Sequence, residues 1–185
     1  MPQYIAFLRG INVGGHRVKM DRLRSLFEQL DLSDVSTFIA SGNVIFSAES
    51  DDVEALTDRI ELHLAQELGY DVATFLRSPA QLAAIASLNQ NEAAVRGRSP
   101  SSYYVIFLRV AARESLRLDL AGLDSEMDEF HFSEAEIHWR IQGKLTDSPL
   151  FGGGLDRATR AIPTTTRNMN TLRRIVAKAS PQEAT

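Results

Sequence analysis

Tyr4-Ile5-Ala6-Phe7-Leu8-Arg9-Gly10-Ile11-Asn12-Val13-Gly14-Gly15 sets the organisation of the chain. Tyr4 to Leu8 is short, apolar and β-prone with no polar alternation, the pattern of a central strand. Three glycines and an asparagine follow before a helical pattern begins near Met20. Glycine lets a backbone take φ > 0 or approach another group closely, at a cost in conformational entropy. With Arg9, His16, Arg17 and Lys19 around it, this donor-rich loop reads as a place for an anion. The plainer alternative is a tight strand-to-helix connection that needs glycine for geometry alone.

Working outward, Met20, Leu23, Leu26, Phe27 and Leu30 recur at helical spacing. Val35 to Ala40 reads as a second strand, and Ser41-Gly42-Asn43 as a tight turn into Val44-Ile45-Phe46-Ser47, a hairpin signal. Asp51, with Glu54 three residues on, is the expected cap of the next helix. That helix carries Val53, Leu56, Ile60, Leu64 and Leu68 on one face and stops at Gly69. Val72 to Arg77 completes a β-α-β-β-α-β series, the split pattern of ferredoxin-like folds. In such a sheet the first strand-helix loop and the hairpin turn share one end. Arg9 to Gly15 and Ser41-Gly42-Asn43 are therefore expected to be neighbours in space.

Ser78-Pro79-Ala80-Gln81 is a strong helix start, and the pattern continues through Leu82, Ile85 and Leu88 to Asn89. The polar stretch Asn89 to Ser102, with Arg96 and Arg98, reads as a linker of solvated side chains. Tyr103-Tyr104-Val105-Ile106-Phe107-Leu108-Arg109 then echoes Tyr4 to Arg9. A weak helix over Arg113 to Ala121 ends at Gly122. Glu129 to Phe132 and Glu136 to Ile141 form a second hairpin about Ser133-Glu134-Ala135. The expectation is an α+β protein of two tandem ferredoxin-like halves with antiparallel sheets, the second degenerate. Residues 1–78 make the first half, 79–102 a helix and linker, and 103–185 the second half with a C-terminal helix.

The second copy lacks the glycine loop and the Ser-Gly-Asn turn, so a localised function is expected in the first. Between Lys144 and Ile162, a helix opened by Ser148-Pro149 competes with a short one over Leu155 to Arg160. Gly152-Gly153-Gly154 reads as a mobile loop. Thr164 to Thr166 suits a sheet edge. The last helix, with Met169, Leu172, Val176 and Ala179, is capped by Thr166 or Asn168.

A hydrophobic fraction of 44% and a charged fraction of 24% are those of an ordinary soluble domain. Cysteine is absent, which excludes disulfides, thiolate metal sites and cysteine nucleophiles and suits a reducing cytoplasm, the expected location. No apolar run approaches the ~18 residues of a membrane span. Met1-Pro2-Gln3 does not read as a signal peptide. A net charge of −4 weighs against a generic polyanion binder. Base nevertheless gathers from Arg9 to Arg24 and again, free of acid, from Arg157 to Lys178.

Several catalytic and cofactor patterns are excluded. Gly143-Lys144-Leu145-Thr146 lacks the earlier glycine of a phosphate loop, since His138 stands there. Gly10 to Gly15 does not fit dinucleotide spacing. The four histidines show no metal pattern. His131 and His138 read as satisfied half-buried imidazoles, and Ser41 has no activating base that the sequence identifies. No cofactor or metal is expected, and no catalytic residue is assigned.

Leu8 to Gly15, Val18-Lys19-Met20, Ser41 to Phe46 and Thr165-Thr166-Arg167-Asn168-Met169-Asn170-Thr171 together resemble the signature of a bacterial domain-of-unknown-function family, number sixteen ninety-seven. The resemblance spans nearly the whole chain and brings no activity, substrate or catalytic residue with it. This chain departs from the family pattern at Met169, where tryptophan is usual, and at Gly143, where serine is usual.

Three functions compete. The favoured one is a phosphorylated or other anionic small ligand held in a basic polar cleft between the halves. Arg9, Asn12, Gly14, Gly15, Ser41 and Asn43 would line it, joined by Lys144, Arg167, Asn168 and Asn170 at the start of the last helix, where free amides and the dipole favour an anion. A single-stranded nucleic-acid-binding module, stacking bases on Phe7 and Phe46, is the second. A structural or partner-binding protein whose Asn and Gly only shape turns is the third.

Overall fold

The computed structural model describes residues 1–87, 102–109, 114–159 and 162–179. The expected helix end at Asn89, the linker residues Arg96 and Arg98, and the expected helix ends Arg113 and Arg160 lie outside them. The chain divides into two compact units, one from Met1 to Ala83 joined by the residues from Ile175 onward, the other within Ala84–Arg174.

In the first unit β1 (Gln3–Leu8), α1 (Met20–Glu28), β2 (Ser33–Thr37), β3 (Asn43–Ser47), α2 (Val53–Leu68) and β4 (Thr74–Arg77) follow in order. The sheet order is β2-β3-β1-β4, with every neighbour antiparallel. Two β-α-β crossovers are thus interleaved, because each helix returns the chain past one strand to the next place beyond. Side chains alternate across a strand, so Tyr4, Ala6, Leu8, Val44, Phe46 and Leu76 share a core with Leu23, Leu26 and Phe27 of α1 and Leu56, Ile60 and Leu64 of α2. Each Leu, Ile, Val or Phe among them, fully buried, contributes about 1.5–3 kcal/mol against exposure.

Caps close these helices much as their residues dictate. Gly69 takes φ 78° at the end of α2. Ser78 and Gln81 bond reciprocally at the start of α3 (Pro79–Ser87): Gln81 N donates to Ser78 Oγ at 3.1 Å and Ser78 N to Gln81 Oε1 at 2.8 Å. The α2 cap, however, is Asp52, whose Oδ1 accepts from Ala55 N at 3.0 Å. Asp51 stands one residue too early to reach the first free amides. The second strand also differs from Val35 to Ala40. It begins at Ser33 across a bulge and stops at Thr37, because Ile39 takes φ 49° and turns the chain out of the sheet.

The second unit repeats the order with β5 (Ser102–Phe107), α4 (Glu114–Ala121), β6 (Asp128–Phe132), β7 (Glu136–Ile141), α5 (Gly154–Ala158), β8 (Thr165–Asn168) and α6 (Met169–Ala179). Its sheet runs β6-β7-β5-β8, again antiparallel throughout. Ile106, Leu108, Leu116, Leu120, Phe130, Ile137, Trp139 and Ile141 form its core. The Asp128 carboxylate is fully buried and accepts from Trp139 Nε1 and Ser148 Oγ, both at 2.8 Å, which ties the segment after β7 to the hairpin. There a 3₁₀ turn over Leu145–Asp147 precedes α5, so the short-helix expectation holds, and Gly154 lies inside that helix. Asn168 caps α6 through Oδ1, which accepts from Asn170 N at 2.9 Å.

Atomic register shows the duplication directly. Leu8 N donates to Gly42 O at 2.8 Å, and Leu108 N donates to Ala135 O at 2.9 Å. Ile5 faces Arg77 in the first sheet as Val105 faces Arg167 in the second.

Candidate ligand site

Asn12 organises the loop after β1. It sits at φ 59°, a left-handed conformation that asparagine tolerates better than most residues. Its Oδ1 accepts from Val18 N at 2.8 Å and its Nδ2 donates to Val18 O at 3.2 Å, which closes the loop on itself. The same Nδ2 donates to Ala40 O at 2.9 Å and joins the loop to the β2–β3 turn. Within that turn Asn43, buried at the start of β3, donates from Nδ2 to Phe38 O and to Ser41 Oγ, both at 2.9 Å. The Asn12 amide therefore joins the two loops, while that of Asn43 braces the turn from within.

Gly42 makes that approach possible. A Cβ there would lie 2.9 Å from Ile11 Cβ and 3.1 Å from Leu8 Cβ. Gly14 and Gly15 differ: both have positive φ, at 61° and 93°, and nothing lies within 4 Å of where a Cβ would be. Theirs is open, exposed backbone. Arg17 and Lys19 are exposed beside it, and Arg9 is half-buried at the end of β1. His16 is stacked on Tyr70 with ring centroids 3.8 Å apart. Burial raises the Tyr70 phenol above its usual pKa, and its hydroxyl has no partner among the described residues.

The sequence profile for "Protein of unknown function (DUF1697)" matches residues 1–138, which takes in both loops. The chain belongs to the DUF1697 family. A solved structure described as conserved bacterial protein SP0830 from Streptococcus pneumoniae is similar to this DUF1697 chain over 97% of its length and 99% of its own, with a TM-score of 0.77 at 21% identity. At that identity the likeness concerns the fold. Among curated proteins none matches.

The remaining expected residues of this DUF1697 protein lie in the second unit. Lys144 and Asn170 are exposed and Asn168 is half-buried. All three fall at the end of the second sheet where β5 begins, since Ser102 Oγ donates to Gly143 O at 2.8 Å and Asn168 faces Tyr104. The loop site of the first unit is at the opposite end of its own sheet, where β1 finishes. Arg167 lies within β8 and is buried, which pulls its pKa down to about 10. Its Nη1 donates to Thr166 O at 2.9 Å, as Arg77 Nη1 does to Leu76 O at 2.7 Å. The same bond in both copies gives Arg167 a structural task.

One cation near the loops escaped sequence reasoning. Lys178 Nζ donates to Thr37 O at 3.0 Å and sits 5.9 Å from the Phe38 ring centroid, beside the β2–β3 turn. Its only sequence signal is membership of the acid-free run before the C-terminus. Among the described residues there is no group of three acids or histidines that would hold a metal ion, and no helix long and apolar enough to cross a membrane.

Proposed function

We propose that the first unit binds a phosphorylated or other small anionic ligand at the end of its sheet where β1 finishes. Each unit is read here as ferredoxin-like, a reading that the sheet order β2-β3-β1-β4 supports. One observation carries the proposal: the Asn12 amide pins the glycine loop to the hairpin turn and leaves Gly14 and Gly15 as open backbone in a left-handed conformation. Exposed glycine backbone of this kind suits an anion, because consecutive N–H groups can converge on it without side chains in the way. Arg9, Arg17 and Lys19 supply the charge, and an arginine can grip a phosphate through two parallel bonds. Asn12, Asn43 and Ser41 hold the frame, and Gly14 and Gly15 face the ligand. The proposal rests on residues of the first unit alone.

Thermal stability is the test, measured against a panel of nucleotides and sugar phosphates for the natural chain and for Arg9→Ala. The expected result is a rise in Tm with at least one phosphorylated compound that shrinks in the variant. No response from any member of the panel overturns the reading. Nucleic-acid stacking finds no support in Phe7 and Phe46, because both rings are fully buried.

A further inference from the structure

We propose that Arg140, together with Tyr103 and His138, forms a second anion site on the second sheet, which takes a small oxyanion, carboxylate or phosphate. Tyr103 and Arg140 face each other across β5 and β7, as Val105 and His138 do, so the three polar side chains share a face. The Tyr103 hydroxyl and His138 Nδ1 are 2.8 Å apart. The Arg140 guanidinium carbon lies 5.7 Å from the centroid of the Tyr103 ring.

Arg140 is only 8% exposed, and its buried Nε has no hydrogen-bond partner among the described residues. Nor does a carboxylate lie within ion-pair distance of it there. Glu129, directly across from it on β6, turns Oε1 to His131 Nε2 at 3.0 Å and leaves Oε2 without a partner. The buried Glu136 is engaged by Ser133 Oγ at 3.2 Å. Arginine stays protonated in proteins. The guanidinium also hydrogen-bonds the Tyr103 side chain, so among the described residues it is a buried cation with a neutral partner and no ion pair. A bridging water would satisfy the N–H but not the charge. An oxyanion satisfies both.

The first copy shows that the fold does not ask for these side chains. Phe7 faces Asn43 in β3, and Phe107 faces Glu136 in β7. His138 therefore occupies the place of Ile45, Arg140 that of Ser47, and Tyr103 that of Gln3. An apolar residue is buried at the position of His138 in an equivalent sheet. Burial and the neighbouring Arg140 charge lower the His138 pKa to about 4, so the imidazole is neutral at ordinary pH and adds no second cation. Arg173 contributes a further positive charge near Tyr103, with its Nε donating to Ala86 O at 3.3 Å.

The test is a titration with inorganic phosphate and, separately, with acetate, each at constant ionic strength set with chloride. Tm is followed for the natural chain, Arg9→Ala and Arg140→Ser. Serine is chosen because Ser47 already occupies the equivalent place in the first sheet. At least one anion should raise the Tm of the natural chain and of Arg9→Ala by several degrees and leave Arg140→Ser unmoved; which anion acts tells phosphate from carboxylate. A rise abolished by Arg9→Ala and kept by Arg140→Ser assigns the anion to the first-unit loop and overturns this site. A flat response in the natural chain does the same. Should Arg140→Ser fail to fold, the Arg140 Nε–H resonance of the natural protein decides: it shifts on adding the anion, or the site is wrong.

Discussion

Asn12 and His138 show how far a single side chain can be committed by its surroundings. The Asn12 amide bonds both the N–H and the carbonyl of Val18 and reaches across to Ala40, so its part in the proposed site is to shape the loop. His138 is committed in charge. The unfolded chain takes up a proton near the ordinary value of 6.5, and the folded chain does so only near 4. Between those values the unfolded state binds more protons, so stability falls as pH drops through that window, by up to about 3 kcal/mol, and the term levels off below it. Urea unfolding at pH 7 and pH 4.5 is expected to show a drop that is about 2–3 kcal/mol smaller in His138→Ile. Equal drops in the two proteins would mean that the imidazole is not held neutral.

At the scale of elements, the turn between β2 and β3 and the loop after β1 form one packed unit. Gly42 decides how near they come, through its φ of 71° and the 2.9 Å that a Cβ would leave to Ile11. Gly42→Ala is expected to cost about 2–4 kcal/mol, adding overpacking to a left-handed backbone. Gly14→Ala, with the same backbone penalty and open space around it, is expected to cost about 1–2 kcal/mol. Chemical denaturation of the two variants checks the difference; matching losses would dismiss the contact between turn and loop. The strands and the second hairpin were readable because alternation and glycine punctuation are local signals. Bounds were less so. β2 ends at Thr37 because Ile39 enters a left-handed conformation, which nothing in an isoleucine announces.

Across the whole molecule, duplication is the dominant feature, and the two copies have diverged in different places. The first keeps the glycine loop; the second replaces Ile45 and Ser47 by His138 and Arg140 on an equivalent sheet. α6 passes from one unit to the other, and Ile175 in it is fully buried. A chain ending at Arg174 loses that side chain and the Lys178 bond to Thr37. It is expected to lose about 2–5 kcal/mol, with faster hydrogen exchange in β2 and β3. Unchanged exchange there would place the last helix outside the first unit's stability. The sequence by itself determined the order of strands and helices, the repeat beginning at Tyr103, and the closeness of the two polar loops, since hydrophobic period and turn chemistry act over a few residues. Only the tertiary structure decided that Asn12 reaches Ala40, that Lys178 stands beside the hairpin, and that the Arg140 Nε is buried with no hydrogen-bond partner among the described residues. Those are matters of what surrounds a group after folding, because the cost of removing a charge from water depends on neighbours far away along the chain.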